Sequence, residues 1–173
     1  FTLDNFRTIL SGEVTVAGDV NDIPYPRWYF NTVFIALTTA VLTVILGALA
    51  AYAFSRFRFR GRRLGMLTLL LIQMFPQLLL VVAIYLIVLR TGEVFPELGL
   101  NHLLALGLVY LGDTLGVNVW LMKGFFDSIP HELDESARVD GATPGQIFWG
   151  VILPLAKPVL AVVGLFAFIG VFN

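Results

Sequence analysis

The chain has 173 residues, of which 58% are hydrophobic and 13% charged, with a mean hydropathy of +0.86. Soluble domains hold roughly 45–50% apolar residues, so this composition excludes an ordinary soluble domain and indicates an integral membrane protein. The formal charge of −1 says nothing about partners, and the absence of cysteine excludes disulfides, thiol chemistry and Cys-based metal sites.

The chain opens at Phe1 rather than Met and stops at Asn173, within or just after a hydrophobic run, as expected of part of a longer polypeptide. Residues 1–27 are mixed and polar and predict a small extramembrane segment, with Asp4 capping a short helix through Leu10 and turns at Gly12, Gly18, Pro24 and Pro26. Trp28 and Tyr29 suit an interfacial aromatic belt. The first span is expected from about Trp28 to Phe54, and its Gly47, Ala48, Ala50, Ala51 and Ala53 favour close helix–helix approach. The arginines at 56, 58, 60, 62 and 63 follow it, a basic run at a membrane exit that places this loop in the cytoplasm.

A second span is expected over about Leu64 to Leu89, interrupted by Gln73, Pro76 and Gln77. Polar side chains at that depth face a bundle interior, and the proline frees a backbone carbonyl. Both a kinked packing helix and the hinged wall of a solute pathway fit these residues. Residues 90–101 predict an outer loop. The third span, about His102 to Met122, carries Asp113 and Asn118, and an intramembrane carboxylate is costly enough to suggest solute or ion contact. The alternative is a local break at Gly112-Asp113-Thr114-Leu115-Gly116, with Asp113 capping a second half-helix. Residues 123–158 lie inside, and Val159 to Phe172 begin a fourth span.

The inner segment from 123 to 158 reads as helix, glycine turn, helix. Ser128 and Pro130 suit a helix start, and Glu132, Asp134 and Glu135 put negative charge where the helix dipole favours it. Gly141 stops that helix in a left-handed C-cap. Thr143 and Gln146 have capping-box spacing, with Pro144 opening the next helix. Pro154 and Pro158 bend or restart the chain as it enters the last apolar run. Such an elbow between spans offers a rigid surface for another protein to push on.

There is no Gly-x-x-x-x-Gly-Lys-Ser/Thr pattern for ATP, no His-Glu-x-x-His and no Gly-x-Ser-x-Gly. His102 and His131 fall on opposite sides of the membrane and share no metal. The sequence predicts no catalytic residues, no metal site and no nucleic-acid partner.

Glu135-Ser136-Ala137, Gly141 after three further residues, and Val151-Ile152-Leu153-Pro154 after nine more resemble the cytoplasmic EAA loop of ABC importer permeases. Ser136 and Val151 depart mildly from the alanine and isoleucine of that pattern. Arg58-Phe-Arg-Gly-Arg62, Gln73-Met-Phe-Pro76, Tyr110-Leu-Gly112 and Asp140-Gly-Ala-Thr-Pro144 extend the resemblance to carbohydrate-uptake permeases, and within them to the MalG-like subunits of maltose and maltodextrin importers. The resemblance covers nearly the whole chain, as the second to fifth spans of a six-span plan.

The resemblance implies an all-α helical bundle of the type I importer permease fold in a prokaryotic plasma (inner) membrane. It implies a second permease subunit, ABC ATPase subunits that carry ATP and Mg, an extracytoplasmic sugar-binding protein and a sugar substrate. It assigns Glu135, Ser136, Ala137, Asp140, Gly141, Val151, Leu153 and Pro154 to coupling with the ATPase, and it leaves Gln73, Pro76, Gln77, Asp113 and Asn118 as candidates for the translocation path. No cofactor is expected on this chain itself. Rival readings are a permease for another solute, such as glycerol phosphate, and a membrane scaffold that binds an ATPase without passing solute.

Overall fold

The computed structural model describes residues 3–11, 13–16, 19–22 and 25–173. A short helix α1 (Asp4–Ser11) precedes a two-stranded antiparallel hairpin, β1 (Glu13–Val16) and β2 (Asp19–Asp22), in the register Glu13 opposite Asp22. Leu3 O accepts from Arg7 N–H at 3.0 Å, so Asp4 is the first helical residue rather than the cap. The hairpin is an addition to the all-helical expectation, and its Val-Thr-Val run supplies the β-branched residues a strand favours. Gly12, Gly18 and Pro24 lie outside the described residues.

Helix α2 (Tyr25–Arg56) is longer than the expected first span at both ends. Pro26 stands in its first turn, where the missing N–H costs nothing. At about 1.5 Å per residue the helix is about 48 Å long, well beyond a hydrocarbon core of roughly 30 Å. The surplus carries Ser55 and Arg56 past the apolar stretch. Its small residues are a packing stripe: Gly47, Ala48 and Ala51 are buried. A Cβ at Gly47 would sit 3.3 Å from Met122 Sδ, so glycine there sets how closely α2 approaches its neighbour.

The expected second span is two helices, α3 (Arg62–Gln73) and α4 (Gln77–Val94), separated at Met74-Phe75-Pro76. Pro76 takes the extended N-cap position of α4, because its ring cannot continue α3. A 3₁₀ turn at Pro96–Leu98 leads to α5 (Leu103–Ser128). The third span is therefore unbroken through Gly112 and Asp113, and Asp113 caps nothing. Thr114 explains part of this continuity: its hydroxyl meets Thr43 Oγ1 of α2 at 2.9 Å and back-bonds to Tyr110 O at 2.9 Å.

After α5 come α6 (His131–Val139), α7 (Pro144–Ile147), a π turn (Phe148–Ile152) and α8 (Leu153–Phe172). The run from Pro144 to Phe172 is one continuous helical rod, so the last span begins inside the elbow rather than at Val159. In the π turn Leu153 N–H reaches back to Phe148 O. This widened turn sits just before Pro154, whose ring would otherwise press on the preceding turn. Among the described residues three stretches are long and apolar enough to cross a membrane: Tyr25–Arg56, Leu103–Ser128 and Pro144–Phe172.

Helices α2, α5 and α8 pack on one another, and α3 packs on α5. Their shared core gathers at one end of the bundle, where Met122, Phe126, Ile147, Ile152 and Ala156 are fully buried. Thus the end of the bundle that meets the elbow is also its best-packed part.

Candidate functional site

The elbow forms through local signals. Pro130 takes the N-cap position of α6, with Glu132 and Asp134 in the first turn. Ser128 ends α5 instead of starting α6, and its Oγ donates to Phe125 O at 2.6 Å. Helix α6 closes in a Schellman turn: Gly141 N–H donates to Arg138 O at 3.0 Å and Ala142 N–H to Ala137 O at 2.9 Å. Gly141 holds φ +83°, a conformation that side chains with a Cβ disfavour. The next helix starts with the capping box, where Thr143 N–H donates to Gln146 Oε1 at 2.8 Å and Gln146 N–H to Thr143 Oγ1 at 3.4 Å.

Contacts from Tyr52, Ser55 and Arg56 tie this elbow to the end of α2. Arg56 Nε lies 2.6 Å from Asp134 Oδ2, with the two side chains only 1% and 2% exposed. The N–H is not aligned on the oxygen, so the pair is an ionic contact rather than a linear hydrogen bond. A second guanidinium nitrogen of Arg56 donates to Ile129 O at 2.9 Å. Ser55 Oγ donates to Asp127 Oδ1 at 2.7 Å, and Lys123 closes on the other oxygen of Asp127. Tyr52 donates to Pro144 O at 3.2 Å and stacks at a tilt on Phe148, centroids 4.9 Å apart. Both arms of the elbow are thereby fastened to one helix.

The residues expected to couple the chain to an ATPase divide by exposure. Glu135, Ser136, Asp140, Gly141 and Pro154 are exposed, whereas Ala137, Val151 and Leu153 are half-buried against the core. Ile147 is fully buried and belongs to this chain's own core. Two apolar side chains join the exposed set, Leu133 at 42% and Val139 at 88% exposure. They stand on the same short helix as the exposed charge of Glu135, with Asp140 at its end.

The polar residues of the middle of the chain converge elsewhere. Gln73, Asp113 and Asn118 line one cavity of about 520 Å³, together with Thr114 and Phe166. Asn118 is buried and donates to Thr114 O at 2.7 Å. Asp113 is exposed along the cavity wall. Gly116 makes room for Gln73, since a Cβ there would collide with the Gln73 amide. Pro76 is not part of the lining and acts by breaking the helix, while the Gln77 side chain lies outside the described residues.

The long-range pairings of Arg56 with Asp134, Tyr52 with Pro144 and Ser55 with Asp127 carry no local sequence signal, whereas Lys123 and Asp127 stand at the i,i+4 spacing of a helix ion pair. Arg56 reads as one of several topological charges, and only the fold shows it to be the buried one. A single faint clue was available: it stands first in the basic run, one residue after an apolar span.

Residues 23–173 match the family of the binding-protein-dependent transport system inner membrane component. The chain is 39% identical over 173 residues to the maltodextrin transport system permease protein MdxG of Bacillus subtilis, covering 100% of this chain and 56% of that protein. It is 42% identical to the maltose/maltodextrin transport system permease protein MalG of Vibrio vulnificus (98% of this chain, 58% of that protein). To the galactooligosaccharides transport system permease protein GanQ of Bacillus subtilis it is 38% identical (98% and 55%). The chain thus spans a little over half the length of these relatives.

A solved chain from a bacterial ABC transporter involved in import of the acidic polysaccharide alginate superposes with a TM-score of 0.69 at 30% identity, covering 87% of this chain and 54% of that one. The architecture is therefore the type I importer permease fold, and its apolar rods place it in a membrane. With its elbow, its glycine turn and a match that runs from residue 23 to residue 173, the chain belongs to the binding-protein-dependent transport system inner membrane component family.

Proposed function

We propose that this chain is part of a membrane-spanning permease subunit of an ATP-driven sugar importer of the maltose and maltodextrin type. It forms half of a translocation path and transmits force to that path from ATPase subunits. The observation that carries this reading is the elbow itself: an exposed tip at Leu133, Glu135, Val139 and Asp140, fixed rigidly through Arg56, Tyr52 and Ser55 to the end of a span. A push on the tip moves α2 and α8 together, since neither arm is free to fold independently.

In this reading residues 1–27 face outward and 28–173 form the permease domain. Residues 90–101 are also outside, and residues 56–63 and 123–158 are cytoplasmic. ATP is hydrolysed on partner chains, a second permease subunit completes the path, and an outer binding protein delivers the sugar. The cavity between Gln73, Asp113 and Asn118 is the candidate wall of the path. The galactooligosaccharide and alginate relatives support a second reading, in which the solute is another oligosaccharide.

The experiment is ATP turnover of the full complex in lipid, with the binding protein loaded in turn with maltose, a maltodextrin, a galactooligosaccharide, glycerol phosphate or nothing. Stimulation by a loaded maltose or maltodextrin form is the expected result. Turnover that never responds to any loaded form, despite a stably docked ATPase, would overturn the transport reading in favour of a scaffold.

A further inference from the structure

The first turn of α3 breaks a rule that most helices keep. The free N–H groups and the dipole make a helix N-terminus positive, so acidic residues are favoured there and basic ones disfavoured. Helix α3 instead opens with Arg62 and Arg63, has no acidic residue in its first turn, and has no capping side chain at Gly61. These two arginines line a cavity of about 540 Å³ together with Met66, Leu67, Trp120 and Lys123. Lys123 is paired with Asp127, so the uncompensated positive charge on this hollow comes from two arginines and a helix end.

The nearby carboxylate does not balance it. Asp127 already holds Lys123 and accepts from Ser55, and it is close enough to feel Arg62. Both guanidinium groups keep donors to spare. Trp120 adds another: its indole Nε1–H is buried without an acceptor among the described residues.

We propose that this cavity binds the headgroup phosphate of an anionic phospholipid. Arg62 and Arg63 present planar forks that match phosphate oxygens, and the positive end of the α3 dipole adds to them. A free phosphate would use the same donors but would gain nothing from the rest of the wall. Met66 and Leu67 line the cavity itself, and past Trp120 an adjoining hollow lined by Leu70, Val117 and Leu121 continues it as an apolar track for acyl chains. A basic hollow between helices at the cytoplasmic face, with an apolar track leading away, is the chemistry of a lipid site. The inference rests on the topological part of the proposed function, which puts this end at the cytoplasmic leaflet, and on nothing about the solute.

The test uses the full complex in nanodiscs of phosphatidylcholine with and without phosphatidylglycerol, followed by mass-spectrometric counting of lipid retained after a detergent wash. Phosphatidylglycerol is expected to be retained over phosphatidylcholine. The Arg62→Gln/Arg63→Gln pair should cut retention by about fivefold for each guanidinium removed. Arg58→Gln/Arg60→Gln, which removes the same charge from exposed residues outside the cavity, should leave it unchanged.

Equal losses from both pairs, or no preference in the unmodified complex, would overturn the site. Displacement of the retained lipid by inorganic phosphate alone would overturn the lipid as its source. Should the double variant fail to assemble, Arg63→Gln at an exposed position and Trp120→Phe give the same comparison. Sugar-stimulated ATP turnover recorded in parallel separates the two ideas: normal stimulation without lipid retention sinks only the lipid site, and the reverse sinks only the transport reading.

Discussion

Arg56, the last residue of α2, and Asp134, in the first turn of α6, form an ion pair 2.6 Å apart with almost no solvent contact. Removing one member of such a pair leaves the other charged and stranded. Arg56→Gln is therefore expected to destabilise the elbow by about 3–5 kcal/mol, read as a drop in the thermal stability of the purified complex. Arg56→Met combined with Asp134→Leu should recover most of that loss, because an apolar pair avoids the desolvation that the ion pair bears. A single variant as stable as the parent would mean that the pair is dispensable.

Gly141 tests the turn without a steric confound, because a Cβ there meets nothing within 4 Å. The cost of substitution is in the backbone alone. Gly141→Val should cost on the order of 1–3 kcal/mol at positive φ, and Gly141→Asn clearly less. The expected outcome is a complex whose spans insert normally but whose ATPase subunits are lost on purification. Normal transport by the valine variant would remove Gly141 from any role in setting the elbow angle.

Glu135 is exposed on α6, so its replacement should barely touch the fold. Glu135→Lys is expected to change stability by within about 0.5 kcal/mol and to weaken ATPase co-purification. Unchanged retention would leave this glutamate as a helix-dipole partner only.

Gly116 and Gln73 give a separate handle on the cavity. A methyl group at Gly116 would strike the Gln73 amide, which is the mobile end of an exposed side chain and can swing away. Gly116→Ala should therefore cost about 1 kcal/mol while changing the polar lining of the cavity. Reduced stimulation of ATP turnover by the loaded binding protein, with ATPase docking intact, is the expected result. Parental stimulation would take this cavity off the solute path.

The elbow was legible because its signals are local. The Schellman turn at Gly141 and the capping box at Thr143 and Gln146 are each set by residues within a few positions of one another. The small-residue stripe of α2 was legible for a similar reason, since Gly47, Ala48 and Ala51 can serve close packing whatever the partner. Tertiary contacts were not. A break at Gly112-Asp113-Thr114-Leu115-Gly116 is one of two readings those residues allow, beside solute or ion contact, and the local sequence does not decide between them. Helix α5 runs straight through and meets α2 at the Thr43–Thr114 contact. The Arg56–Asp134 pair joins residues from different helices and has no periodicity to betray it. Pro76 signalled an interruption correctly, but whether a proline kinks a helix or ends it depends on neighbours that the local sequence does not name.

The π turn at Phe148–Ile152 also fixes a phase. A residue added to or removed from an α-helix rotates everything beyond it by about 100° around the axis, and a π turn absorbs one residue without that rotation. The faces of α7 and α8 are therefore indexed to each other through this single wide turn, like two keyed sections of one shaft. Ile147 and Phe148 on one side and Ala156 and Val163 on the other pack into the same core across this wide turn. Length is therefore free to change by one residue at this turn and nowhere else along the rod: removing a residue here would let the turn close to an ordinary α-helical one with the faces still aligned, whereas removing one from α8 would swing everything beyond it by about 100°.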